Sequence, residues 1–161
     1  MVAAAPGLPV TVAGEVIAKL FASTSGGDSD FIVKLIDVYP GDAKDNNPNP
    51  AGVRMGHFQM LVSGEVFRAK YRKSFSKPEP MVPDQPVPIT IDLRDKNHRF
   101  LKGHRIMVHV QSTWFPVIDR NPQNFVPNIF QAKESDFKRA IQTIYCSGQQ
   151  ASFIALPVEA R

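Results

Sequence analysis

Residues 10–24, VTVAGEVIAKLFAST, set apolar side chains at Val10, Val12, Val16, Ala18, Leu20 and Ala22. Only an extended chain gathers that set on one face, because strand side chains alternate sides with a period of two residues. A strand of this length needs partners for its backbone groups and a second apolar layer for its buried face. The 14 prolines point the same way. They exceed the usual share of about 5%, and proline is excluded from helix interiors and central strands. The chain is therefore expected to be β-rich, with many turns and strand ends.

Further segments fit that frame. Residues 31–40, FIVKLIDVYP, read as a mostly buried strand ending at a proline. Residues 56–72 read as a long strand or a hairpin, with Gly64 as a bulge or kink. Residues 73–88 hold five prolines and read as an extended surface crossing. ITIDL (89–93) is a short strand, residues 95–105 bridge, and residues 106–114 form another strand. Residues 128–137 are expected to hold one helical turn. Residues 139–146 carry Ile141, Ile144 and Tyr145 at helical spacing, but their β-branched content favours a strand. Residues 152–158 close the series. About eight strands and no convincing long helix describe an all-β sandwich.

At 161 residues the chain is one domain, 1–161, able to bury a core without staples. Its net charge is +4, with 15 acidic and 19 basic residues interspersed, which argues for a solvated surface and against a nucleic-acid partner. No stretch approaches the ~18 apolar residues of a membrane helix. MVAAAPGLPV lacks a basic n-region, so a soluble protein without a membrane partner is expected, in the bacterial cytoplasm or in the periplasm or outside.

The vocabulary of catalysis is thin. There is no Gly-x-Ser-x-Gly elbow and no phosphate-binding glycine loop. His104 and His109 are five apart and face opposite ways on a strand, so no metal site and no cofactor are expected. Cys146, the single cysteine, is expected to be buried as a small apolar group. Asp28, Asp30 and Asp37 flank one strand and read as turn formers and solvated charge. Arg68, Lys70 and Arg72 read as a solvent face backed by Phe67 and Tyr71.

QSTWFPVIDRNPQNF (111–125) has the look of a site wall. Pro116 stops strand pairing, and Asn121-Pro122 favours a further turn. Asp119 and Arg120 are adjacent and so must each find a partner elsewhere. Nothing in the loop supplies a nucleophile together with a base.

Residues 103–125, GHRIMVHVQSTWFPVIDRNPQNF, resemble the hallmark of the C-terminal domain in the cocaine esterase and X-Pro dipeptidyl-peptidase superfamily, the CocE/NonD type. DSDFIVKLIDVYPGD (28–42) and VSGEVFRAKYRKSF (62–75) resemble two further blocks of it, and KPEPMVP and SFIALPV fit. The details look closest to the branch of α-amino-acid ester hydrolases and glutaryl acylases. The resemblance covers about residues 10–158.

It implies a jelly-roll β-sandwich, galactose-binding-like, that is non-catalytic. The Ser-Asp-His triad would lie in an α/β-hydrolase catalytic domain of the same polypeptide, on which the sandwich packs and whose substrate cleft it helps to shape. The chain alone is then no enzyme. The resemblance assigns structural and interdomain roles to Asp28, Asp30, Asp37, Arg68, Arg72, Gly103, His104, Arg105, Trp114, Phe115, Pro116, Asp119, Arg120, Asn121 and Pro122. The family usually carries a further strand just before Pro9, where only MVAAAPGLP stands here; either the chain was cut there or the module was shortened, and an unpaired edge of that kind invites a homo-oligomer. The alternative is a free-standing sandwich that binds a small ligand or carbohydrate, for which one tryptophan is thin support.

Overall fold

The alternating segment forms β1 (Val10–Thr24), the strand that organises one of two antiparallel sheets in the computed structural model, which describes residues 7–159. Six further strands follow: β2 (Asp30–Val38), β3 (Gln59–Arg68), β4 (Val87–Phe100), β5 (Arg105–Gln111), β6 (Gln142–Tyr145) and β7 (Phe153–Ala155). One sheet runs β4-β1-β6, with β7 also on β1; the other runs β3-β2-β5. Val12, Val16, Leu20, Phe31, Leu35 and Leu93 are among the buried residues between them. The result is the all-β sandwich that the sequence predicts. The expectation that a first strand is lacking just before Pro9 falls largely on residues 1–6, outside the described residues. No helix among the described residues is long and apolar enough to cross a membrane.

Of the two readings of residues 56–72, the strand holds and the hairpin does not: β3 is a single strand that ends in a 3-10 turn at Ala69–Tyr71, so there are seven strands among the described residues. β4 does not stop at Leu93, and residues 95–100 pair with β1. Between the pairs Glu15–Asp95 and Ile17–Asp92 the register slips by one residue, at a bulge where Arg94 takes φ +68°. Ile89, Ile91 and Leu93 face the core before the bulge, and Phe100 does so after it. The bulge inverts the phase of alternation, so the second half reads as a loop. Cys146 is exposed, because β6 ends at Tyr145.

The crossing from β4 back to the other sheet turns at Gly103, whose φ of +86° lies where other residues are strained. Gly64 is not a bulge. It pairs regularly with Lys34, and the slip in that ladder lies at Val62. What Gly64 provides is room: a Cβ there would meet the Trp114 ring at 2.8 and 3.0 Å. Trp114 thus lies against the outer face of the sheet, with the Lys34 ammonium 4.1 Å from its ring centre.

Gly64→Val should therefore push Trp114 off its seat. A loss of about 1–3 kcal/mol is expected from overpacking. Urea unfolding measures it, together with a red-shifted emission from Trp114, the chain's only tryptophan.

Candidate functional site

β2 starts at Asp30, two residues after Asp28, and both carboxylates are buried, with 0% and 2% of their surface exposed. Reading them as solvated turn formers was wrong. A buried carboxylate requires hydrogen bonds or a counter-charge, and several elements supply them. Arg68, the last residue of β3 and the register partner of Asp30, donates Nε to Oδ1 at 2.8 Å and Nη2 to Oδ2 at 3.0 Å. Asn121 donates its amide to Asp30 at 2.8 Å and to Asp28 at 3.2 Å. The Lys70 backbone N–H donates to the other oxygen of Asp28 at 2.9 Å.

Lys70 departs from the sequence expectation as well. Alternation places it on a solvent face with Arg68 and Arg72, yet it is 2% exposed and its Nζ donates to the Val126 carbonyl at 2.9 Å. The strand ends at Arg68, so the alternation that put Lys70 outside does not apply in the 3-10 turn. Arg72 also turns inward. It donates to the carbonyls of Ala69, Glu79 and Pro80 at 3.2, 2.9 and 2.8 Å, which holds the proline-rich crossing against the corner.

The loop that follows β5 is built onto this corner. Asn121 also accepts the Gln123 backbone N–H at 2.8 Å, and Asp119 reaches Arg68 at 3.5 Å from an exposed position. Arg120 lies over the Phe137 ring at 5.7 Å. The two neighbours do find separate partners, as their adjacency requires. Phe115-Pro116 is a cis peptide bond, and Phe115 stands out with 66% of its surface exposed. The expected helical turn is in fact two 3-10 turns, Ile129–Gln131 and Glu134–Asp136. Phe115, Ile129, Phe130 and Phe137 line a recess of about 660 Å³ with Asp119, Arg120 and Glu134.

The other predicted residues lie at the far end of β2. Asp37, 1% exposed, gives one oxygen to His104 Nδ1 at 2.8 Å and the other to His98 Nε2 at 3.0 Å. His104 packs on Tyr39, with ring centres 4.4 Å apart. His98 was not singled out in the sequence, since it falls on the half of β4 that the bulge disguises. This carboxylate ties β2 to β4 and to the turn before β5. Arg105 is exposed and is brought to neither cluster.

The electrostatics of the corner follow from burial. Desolvation raises the Asp28 carboxyl above its ordinary value of 3.8, and the charge of Asp30 adds to the rise; hydrogen bonds from Asn121 and from the Ser29 and Lys70 backbones oppose it. The Arg68 guanidinium is pushed up, first by its hydrogen bonds to Asp30.

The buried polar groups of this β-sandwich hold its loops, and the loop after β5 bares Phe115 and Phe130 among exposed charged residues. Residues 8–155 match the model of the X-Pro dipeptidyl-peptidase C-terminal non-catalytic domain, and the chain belongs to that family. It is similar to the cocaine esterase of Rhodococcus sp. (strain MB1 Bresler), 33% identical over 150 residues, which is 93% of this chain and 23% of that protein. Among solved structures it is similar to an alpha-amino acid ester hydrolase, with a TM-score of 0.90 and 46% identity. An aminopeptidase from a marine sediment Thaumarchaeota archaeon superposes equally well, with a TM-score of 0.90 and 41% identity. This chain covers 99% of itself and 25% of each of those two structures. The chain thus spans about a quarter of the length of these relatives.

Two outcomes test the corner. Arg68→Met strands a buried carboxylate, so it should cost about 3–5 kcal/mol in urea unfolding, and Asp30→Asn combined with it should cost less than Arg68→Met alone. Asp28 gives a pH signature. A carboxyl whose folded pKa is raised binds its proton more tightly in the folded state, so its contribution is fully present below pH 3.8 and is lost as pH rises from there through the raised folded value. Relative to the parent, Asp28→Asn should therefore gain stability across that window and stay level above it, as read by unfolding at a series of pH values.

Proposed function

We propose that this chain is the non-catalytic module of a longer serine hydrolase that acts on esters, amides or X-Pro dipeptides. It docks on an α/β-hydrolase catalytic domain of the same polypeptide and helps to shape the substrate cleft. The observation that carries this reading is a set of bared apolar side chains in one stretch of loop. Phe115 and Val117 are each 66% exposed and Phe130 is 86% exposed, while Phe137 is 38% exposed. Three of these rings line one recess. Apolar surface gathered in this way marks an interface. It stands on a corner whose buried ion pair and amide hold the loop in one conformation.

In this reading Phe115, Asp119 and Arg120 belong to the docking face. Asp28, Asp30, Arg68, Arg72 and Asn121 keep it rigid, Trp114 and Pro116 set its angle, and Asp37 and His104 brace the opposite end. The module acts by preorganisation: a displacement of about 1 Å in a reacting geometry can cost on the order of a hundredfold in rate. The chain by itself hydrolyses nothing. Self-association through an uncovered sheet edge is a further part of the proposal, and a monomer mass by light scattering over about a tenfold concentration range would remove it.

The test is a chimera in which this chain replaces the matched quarter of the alpha-amino acid ester hydrolase. The chimera should hydrolyse its ester substrate. Phe115→Ser with Phe130→Ser should lower that rate on the order of tenfold or more while leaving the melting temperature of the free chain in place. Unchanged hydrolysis by a normally folded double variant would count against the docking face.

A further inference from the structure

Beside the ring-lined recess lies a second one of about 470 Å³, and the two share Arg120 and Phe137. Its lining is basic and polar: Arg120, Lys138 and Arg139 with Ser112, Thr113 and Gln142. No carboxylate lines it, while Asp119 and Glu134 line only its neighbour. None of the three cations has an ion pair among the described residues.

The walls are preformed. Gln142 donates to the Gln123 side chain at 2.6 Å, and the Lys138 backbone N–H donates to the Pro122 carbonyl at 2.8 Å. Phe137 pins the Arg120 guanidinium from one side. Three like charges around one concavity attract an anion, and a guanidinium fork suits the two oxygens of a carboxylate.

We infer that this recess receives an aspartate or glutamate side chain of the domain that docks on the adjoining rings. The inference rests on the docking face proposed above and adds the chemistry of the partner. Two observations favour a carboxylate carried by that partner over a free anion. The recess is continuous with the ring face through Arg120 and Phe137. All three cations are exposed, so a small anion would stay hydrated and screened, whereas a docked domain excludes the water and strengthens the pair.

The experiment reverses the two charges that touch only this recess, Lys138→Glu with Arg139→Glu, in the chimera and in the free chain. Docking is read as protection from hydrogen exchange of the loop amides at 114–137. The docked state should be weakened by at least about tenfold, which is about 1.4 kcal/mol. Added sodium chloride should weaken docking of the parent and not of the variant. The free chain should melt as the parent does. Protection that is unchanged by the reversal but lost in Phe115→Ser with Phe130→Ser overturns the inference and leaves the docking face standing. Protection lost in neither removes the docking face and the inference with it. Equal destabilisation of the free chain assigns the cations a structural role and overturns the proposal. So does stabilisation of the free parent chain by glutarate alone that the reversal abolishes, since the recess would then be a pocket for a small dicarboxylate.

Discussion

The contact between Asp30 and Arg68 closes the end of one sheet and sets the terms for everything around it. The two residues are register partners at the first position of β2 and the last of β3, so the backbone ladder aligns the fork with the carboxylate before any loop is added. An ion pair this far from water is held only if its remaining valences are satisfied. Asn121 from the loop after β5 does that, and in doing so brings in a second carboxylate, Asp28. Two acids then share one polar knot with the Arg68 guanidinium, the Asn121 amide and the Lys70 backbone N–H. The raised carboxyl of Asp28 records how dry that knot is.

From the knot outward, each connection is also the support of a loop. Arg72 fastens the proline crossing, Lys70 fastens the chain at Val126, and Asn121 fastens the segment that carries the exposed rings. β2 has a carboxylate clamp at both ends, with Asp37 between two histidines at the other. The central strand is buried on both faces, one against the opposite sheet and the other in part under Trp114. A strand fixed in this way gives the loops a rigid base, and a domain that works by presenting a surface to another needs one.

Much of this was legible in the chain. The alternation of β1, the apolar run of β2 and the prolines between strands follow from local sterics and a period of two, although β5 ends at Gln111, short of the expected stop at Pro116. They determined that the protein is an all-β sandwich with a long structured loop after β5. The motif around residues 103–125 pointed to the right family, although not to what its residues touch. Where alternation failed, it failed for local reasons: a bulge at Arg94 inverted the phase of β4, and the end of β3 at Arg68 rotated Lys70 inward.

Only the tertiary structure decided which charges are buried. Asn121 lies 93 residues from Asp28 and 91 from Asp30 in the chain, and nothing in either segment alone signals the other. A carboxylate in a sequence looks the same whether it meets water or an arginine. Its environment is set by strand register and by the loop that folds over it, both of which are long-range properties. For the same reason the ring-lined and basic recesses became visible only once separate loops were brought side by side.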